Sequence, residues 1–132
     1  MTQSSTRTIL IAEDEEAVKM LAVFAFRSKG FEVLTASTAE EALDLWRDHK
    51  DDIGLLFTDL SMPGDMTGFD LARQLRATHP HLPIIFTSGD VADTADYDPS
   101  LQHSVKHLLK PYRPSELLLM VAGMLPPVTA AA

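Results

Sequence analysis

Residues 53–64, IGLLFTDLSMPG, stay apolar from Ile53 to Phe57, then meet an acid at Asp59 and a Met-Pro-Gly turn. A short apolar run closed by turn residues reads as a strand buried on both faces, the usual state of strands in a parallel sheet. Asp59 then stands at the C-terminal end of a central strand, where open α/β sheets place their ligands. The rest of the chain has to supply the other strands and the helices that cover them.

Working outward, residues 8–12, TILIA, form a second short apolar run that stops at EDEE, so carboxylates again follow a strand. From Glu15 to Lys29 the apolar positions Val18, Leu21, Ala22 and Ala25 recur at helical spacing, and Gly30 supplies the stop. FEVLTA, 31–36, alternates as a strand, and Thr38 with Glu41 makes a capping box that opens a helix through Ala42, Leu43 and Trp46. The central strand covers 52–58. Phe69 to Thr78 gives a third helical face, and PIIFTS from Pro83 a fourth strand. Segment 89–104 is rich in aspartate and poor in apolar residues where a further helix would come, and only a short helical piece near 99–104 is expected. VKHLL, 105–109, is a fifth strand, and Ser115 to Leu125 a leucine-rich helix that Pro114 suits as a start. Five strands alternating with about five helices predict a doubly wound α/β domain over 8–125: a parallel sheet in the order 2-1-3-4-5, helices on both faces, and short tails at 1–7 and 126–132.

Bulk properties bound the function. A chain of 132 residues fits one domain, and at that size roughly 70% of the unfolded surface is buried on folding. There is no cysteine, which excludes disulfides, thiolate metal sites and a cysteine nucleophile and fits a cytoplasmic protein. The polar start MTQSSTRT is no signal peptide, and no run reaches the ~18 apolar residues of a membrane span. With a formal charge of -8 and eleven scattered Lys and Arg, direct nucleic-acid binding is not expected. The five histidines show no ligand spacing for zinc.

In the 2-1-3-4-5 order Glu13 and Asp14 after the first strand converge on Asp59, with Thr87 and Ser88 after strand four and Lys110 after strand five. Clustered carboxylates repel, so either one is protonated or a cation settles among them. The hard, oxygen-seeking Mg²⁺ suits such a set, usually with phosphate oxygens completing its shell. A carboxylate can also attack phosphorus, a step that needs positioning and charge neutralisation, which a cation, Lys110 and a hydroxyl would provide.

These residues resemble the response regulator receiver domain of two-component phosphorelay signalling, a flavodoxin-like fold. The matched features are ED after strand one, TDLSMPG with Gly68 before helix three, FTSG after strand four and KPY after strand five, together spanning about 7–125. The resemblance implies that Asp59 is the phosphoacceptor, that Asp14 and, partly through water, Glu13 bind Mg²⁺ or Mn²⁺ with the Ser61 backbone carbonyl, and that Lys110 is the essential lysine. It implies Ser88, five residues after Pro83, as the switch hydroxyl, Gly89 as the small residue beside it, and a cis Lys110-Pro111 bond. His107 stands where receivers carry a switching aromatic, and Ser61 and Asp90 where the family tunes phosphoryl lifetime. The implied partners are a histidine kinase or a histidine phosphotransfer protein, and a downstream protein that reads the phosphorylated surface. With too little chain after Leu125 for an output domain, a stand-alone receiver or a piece of a hybrid kinase is expected. Such a domain modifies itself at Asp59 and does not turn over an external substrate. Two other readings remain: a docking module that needs no phosphate, and a Mg²⁺-dependent phosphatase, against which stands Ser61 where a second acid would be wanted. One irregularity stands out: MPGDMTG has one residue more between Pro63 and Gly68 than the family's usual MPGMDG.

Overall fold

The computed structural model describes residues 7–89, 101 and 103–125. Five parallel strands, β1 (Thr8–Ala12), β2 (Glu32–Ala36), β3 (Ile53–Asp59), β4 (Ile84–Ser88) and β5 (Val105–Leu109), form one sheet in the order β2-β1-β3-β4-β5. Among the described residues four helices accompany them: α1 (Glu16–Ser28), α2 (Ala39–His49), α3 (Gly68–Thr78) and α4 (Pro114–Ala122). None of these is long and apolar enough to cross a membrane. The predicted fold class and strand order are therefore those observed. Of the helical piece expected near 99–104, residues 99, 100 and 102 lie outside the described residues; Leu101, which is described, is fully buried. Both predicted tails also lie outside them, apart from Arg7.

All seven residues of β3 are buried, because this strand has neighbours on both edges and helices on both faces. Register makes that possible. Ile9 pairs with Leu55, Leu10 with Leu56 and Ile11 with Phe57, while Thr8 pairs with Ile53, so the ladder steps past Gly54. A glycine at an irregularity in a strand has no side chain to misplace, and here it leaves side chains of like parity on one face. One face collects Leu10, Leu56, Ile84 and Phe86 with Leu43, Trp46, Leu71 and Leu75 from α2 and α3. The other collects Ile9, Ile11, Leu55, Phe57 and Ile85 with Ala22, Phe26, Leu117 and Val121 from α1 and α4.

Helix boundaries depart from the sequence reading in instructive ways. Thr38 does accept from the Glu41 N–H at 3.1 Å, but the Glu41 carboxylate turns to the Ser37 N–H at 2.6 Å, so the expected box is only half formed. The complete reciprocal box opens α3, where the Thr67 side chain accepts from the Asp70 N–H and Asp70 accepts from the Thr67 N–H. An aspartate does there what the usual pattern assigns to glutamate. The last helix begins at Pro114 itself and ends at Ala122, three residues short of Leu125, because Gly123 caps it.

The Phe57 ring sits edge-on between Phe26 (centroids 5.5 Å apart) and Tyr112 (6.0 Å). Phe57→Ala should therefore cost about 3–5 kcal/mol in urea unfolding. Phe24→Ala, on a side chain 75% exposed, should stay within about 0.5 kcal/mol of the parent.

Candidate functional site

Parallel strands deliver their C-terminal ends to one edge, and here that edge is acidic. Glu13 follows β1, Asp59 ends β3, Ser88 ends β4 and Lys110 follows β5. Backbone hydrogen bonds hold these ends in place: Glu13 N–H to the Ala36 carbonyl (3.0 Å), Leu60 N–H to that of Thr87 (3.0 Å), and Lys110 N–H to that of Ser88 (2.8 Å). The Lys110-Pro111 peptide is cis.

Lys110 is the centre of the arrangement. Its Nζ lies 2.8 Å from Asp59 Oδ2, 2.9 Å from Glu13 Oε1 and 3.4 Å from Glu15 Oε1. Glu13 and Asp59 are buried, at 1% and 6% exposure, whereas Asp14 is exposed. Glu13, Asp14 and Asp59 can each bring a carboxylate oxygen within 4.8 Å of the others. Burial and the nearby Asp59 charge hold the Glu13 carboxyl above its usual range, although Lys110 and the Glu15 N–H pull against that shift. For Lys110 burial works to lower the pKa, but hydrogen bonds and charges from Asp59 and Glu13 outweigh it and leave the ammonium firmly protonated.

Three carboxylates, those of Glu13, Glu15 and Asp59, thus share one ammonium, with Asp14 beside them, and two of the three are out of water. A buried negative excess with only oxygen donors suits a hard divalent cation, while zinc would want nitrogen or sulfur. The Ser61 N–H donates to Asp59 Oδ1 at 3.2 Å, which ties the start of the next loop to the same carboxylate. Gly68 closes that loop: a Cβ there would lie 2.2 Å from the Asp59 carbonyl oxygen, so no residue with a side chain fits.

Ser88 is half-buried at the end of β4, and Thr87 beside it is fully buried, paired in register with Asp59. His107 is half-buried on β5 with its ring 5.9 Å from that of Phe86, so it packs on the core and is not a free surface side chain. Burial holds its pKa below the usual value. Asp90 lies outside the described residues. Two contributors escaped the sequence reading. Glu15 joins Lys110, a role latent in the EDEE run. Tyr112 is buried beside the cluster, its hydroxyl without a hydrogen-bond partner among the described residues, and burial and the Glu13 charge raise its pKa. Its position was readable only as the third letter of KPY.

The residues from 9 to 122 match the model of the response regulator receiver domain. The chain belongs to that family. It is 34% identical over 122 residues to the sensor kinase CckA of Brucella abortus, covering 92% of this chain but only 13% of that protein. It is 30% identical over 119 residues to the response regulator receiver protein CpdR of the same organism, covering 90% of this chain and 97% of that one. The crystal structure of the receiver domain from the hybrid histidine kinase CckA superposes with a TM-score of 0.75 at 33% identity, covering 89% of this chain and 98% of that one. The protein is a two-component receiver domain.

Removing the ammonium should expose the cost of this receiver's buried acids. Lys110→Met, without divalent cations, should lose about 3 kcal/mol at neutral pH. Because the folded Glu13 pKa lies above its unfolded value, the cost of its ionisation is present at neutral pH. It is relieved as pH falls through the folded pKa. The deficit between variant and parent, followed by urea melts, should shrink as the pH falls from neutral; a deficit independent of pH would contradict the assignment.

Proposed function

We propose that this chain is a cytoplasmic receiver in which Asp59 accepts a phosphoryl group from the phosphohistidine of a histidine kinase or phosphotransfer protein. The observation that carries the reading is the Lys110 ammonium 2.8 Å from Asp59 Oδ2, inside a cluster of oxygen donors with excess negative charge. An oxygen of the Asp59 carboxylate attacks phosphorus as the P–N bond to the donor imidazole breaks, and the imidazole keeps the electron pair and is protonated. Lys110 exchanges part of its contact with Asp59 for the arriving phosphoryl oxygens, so its charge is matched to the acceptor before and after transfer. Asp14, Glu13, Asp59 and the Ser61 carbonyl would hold Mg²⁺ or Mn²⁺, which when bound supplies further charge neutralisation and orientation. Hydrolysis of the acyl phosphate by water returns Asp59 to its carboxylate, and Ser61 and Asp90 bear on that rate.

Ser88 bonds a phosphoryl oxygen and draws the end of β4 with it. His107, packed against Phe86, follows, and the surface near β5 and α4 changes for a downstream protein partner. This is a population shift between two arrangements, in which the phosphoryl group stabilises one of them. CckA is described as a sensor kinase and CpdR as a response regulator, which makes a phosphorelay the natural setting.

Incubation with a small acyl phosphate donor, followed by intact mass, tests the acceptor chemistry. Wild type should gain one phosphoryl group only with Mg²⁺, and Asp59→Asn none. An equal adduct on Asp59→Asn would refute the reading. Absence of any adduct on wild type would favour a docking module that needs no phosphate.

A further inference from the structure

The loop from Leu60 to Thr67 joins the phosphoacceptor strand to α3, and α2 anchors it in the middle. Glu40, the second residue of α2, is exposed, yet its Oε2 accepts from the Asp65 N–H at 3.1 Å and the Met66 N–H at 3.2 Å. Two successive backbone N–H groups turned onto one carboxylate oxygen form an anion-binding nest, filled here from within the chain. Gly64 makes the approach possible. Its φ is 108°, and a Cβ there would stand 2.7 Å from Glu40 Oε1.

The same loop is fixed at its two ends on the site. The Ser61 N–H donates to Asp59 Oδ1 at 3.2 Å, and the Gly68 N–H donates to the Leu60 carbonyl at 3.1 Å. Between those ties lies the stretch with one residue more than the family's usual spacing, and a longer loop has more freedom to lose on ordering. We infer that Glu40 is a positioning residue for the phosphoacceptor site: its clamp on residues 64–66 fixes the Ser61 backbone relative to Asp59 and so strengthens cation binding. The inference rests on the functional reading above. It makes the added residue a feature with its own anchor on α2, outside the acidic cluster and contributing no ligand itself.

The test is Mg²⁺ affinity by calorimetric titration of the unphosphorylated protein, with the phosphorylation rate measured alongside. Glu40→Ala should weaken Mg²⁺ binding about three- to tenfold, the scale of one charge-assisted hydrogen bond or less. Glu40→Gln, which keeps a carbonyl oxygen for the two N–H groups, should recover most of that loss. Gly64→Ala, which displaces the carboxylate, should reproduce the Glu40→Ala effect. Glu41→Ala removes a neighbouring first-turn acid that holds Ser37, and it should leave the affinity unchanged. A phosphorylatable wild type with equal Mg²⁺ affinity in Glu40→Ala would overturn this inference alone. A wild type that takes neither Mg²⁺ nor a phosphoryl group would overturn the functional reading and this inference with it.

Discussion

One ammonium between two buried carboxylates is the constraint around which the acidic edge of this domain is organised. Lys110 meets Asp59 and Glu13 within 2.9 Å, and neither acid has enough contact with water to carry its charge unaided. Breaking a buried pair leaves an uncompensated charge, which costs far more than the pair itself contributes. The cluster is therefore held by its opposition: the acids keep the lysine protonated, and the lysine keeps both acids tolerable. The residual negative charge is what a cation or a phosphoryl group with its cation can meet.

The fold provides that opposition through strand order. In the order β2-β1-β3-β4-β5, β1 and β3 are neighbours, and Glu13 and Asp59 leave the sheet side by side. Lys110 arrives from two strands away and has to reach back over β4. The backbone bond from Lys110 to Ser88 sets where that reach begins. Beneath the site the aromatic contacts Phe26, Phe57 and Tyr112 give the acidic edge a rigid apolar floor, which keeps the local dielectric low and the charge interactions strong.

Strands were legible because their signal is local: short apolar runs that stop at acids or turn residues. TILIA and VKHLL coincide with β1 and β5 to the residue. The convergence of Glu13, Asp59 and Lys110 was legible as well, since strand order alone brings those ends together. Side-chain hydrogen bonding was not. Whether Glu41 closes a box on Thr38 or turns to Ser37, and whether Thr67 and Asp70 form one instead, depends on backbone angles a residue or two away. Glu40 was invisible for a different reason: it contacts a loop 25 residues on, and no local pattern marks such a partner. The packing of His107 against Phe86 follows from the β4–β5 register, which sets the two residues side by side.

The central claim concerns one oxygen atom on one side chain, so the most direct measurement is where the phosphoryl group attaches. After phosphorylation with Mg²⁺ and a small donor, borohydride reduction converts an aspartyl phosphate to homoserine, and peptide mass spectrometry locates it. The account predicts homoserine at position 59 and at no other aspartate. Homoserine at Asp14, or a phosphoryl group that survives on serine or histidine with position 59 intact, would contradict it.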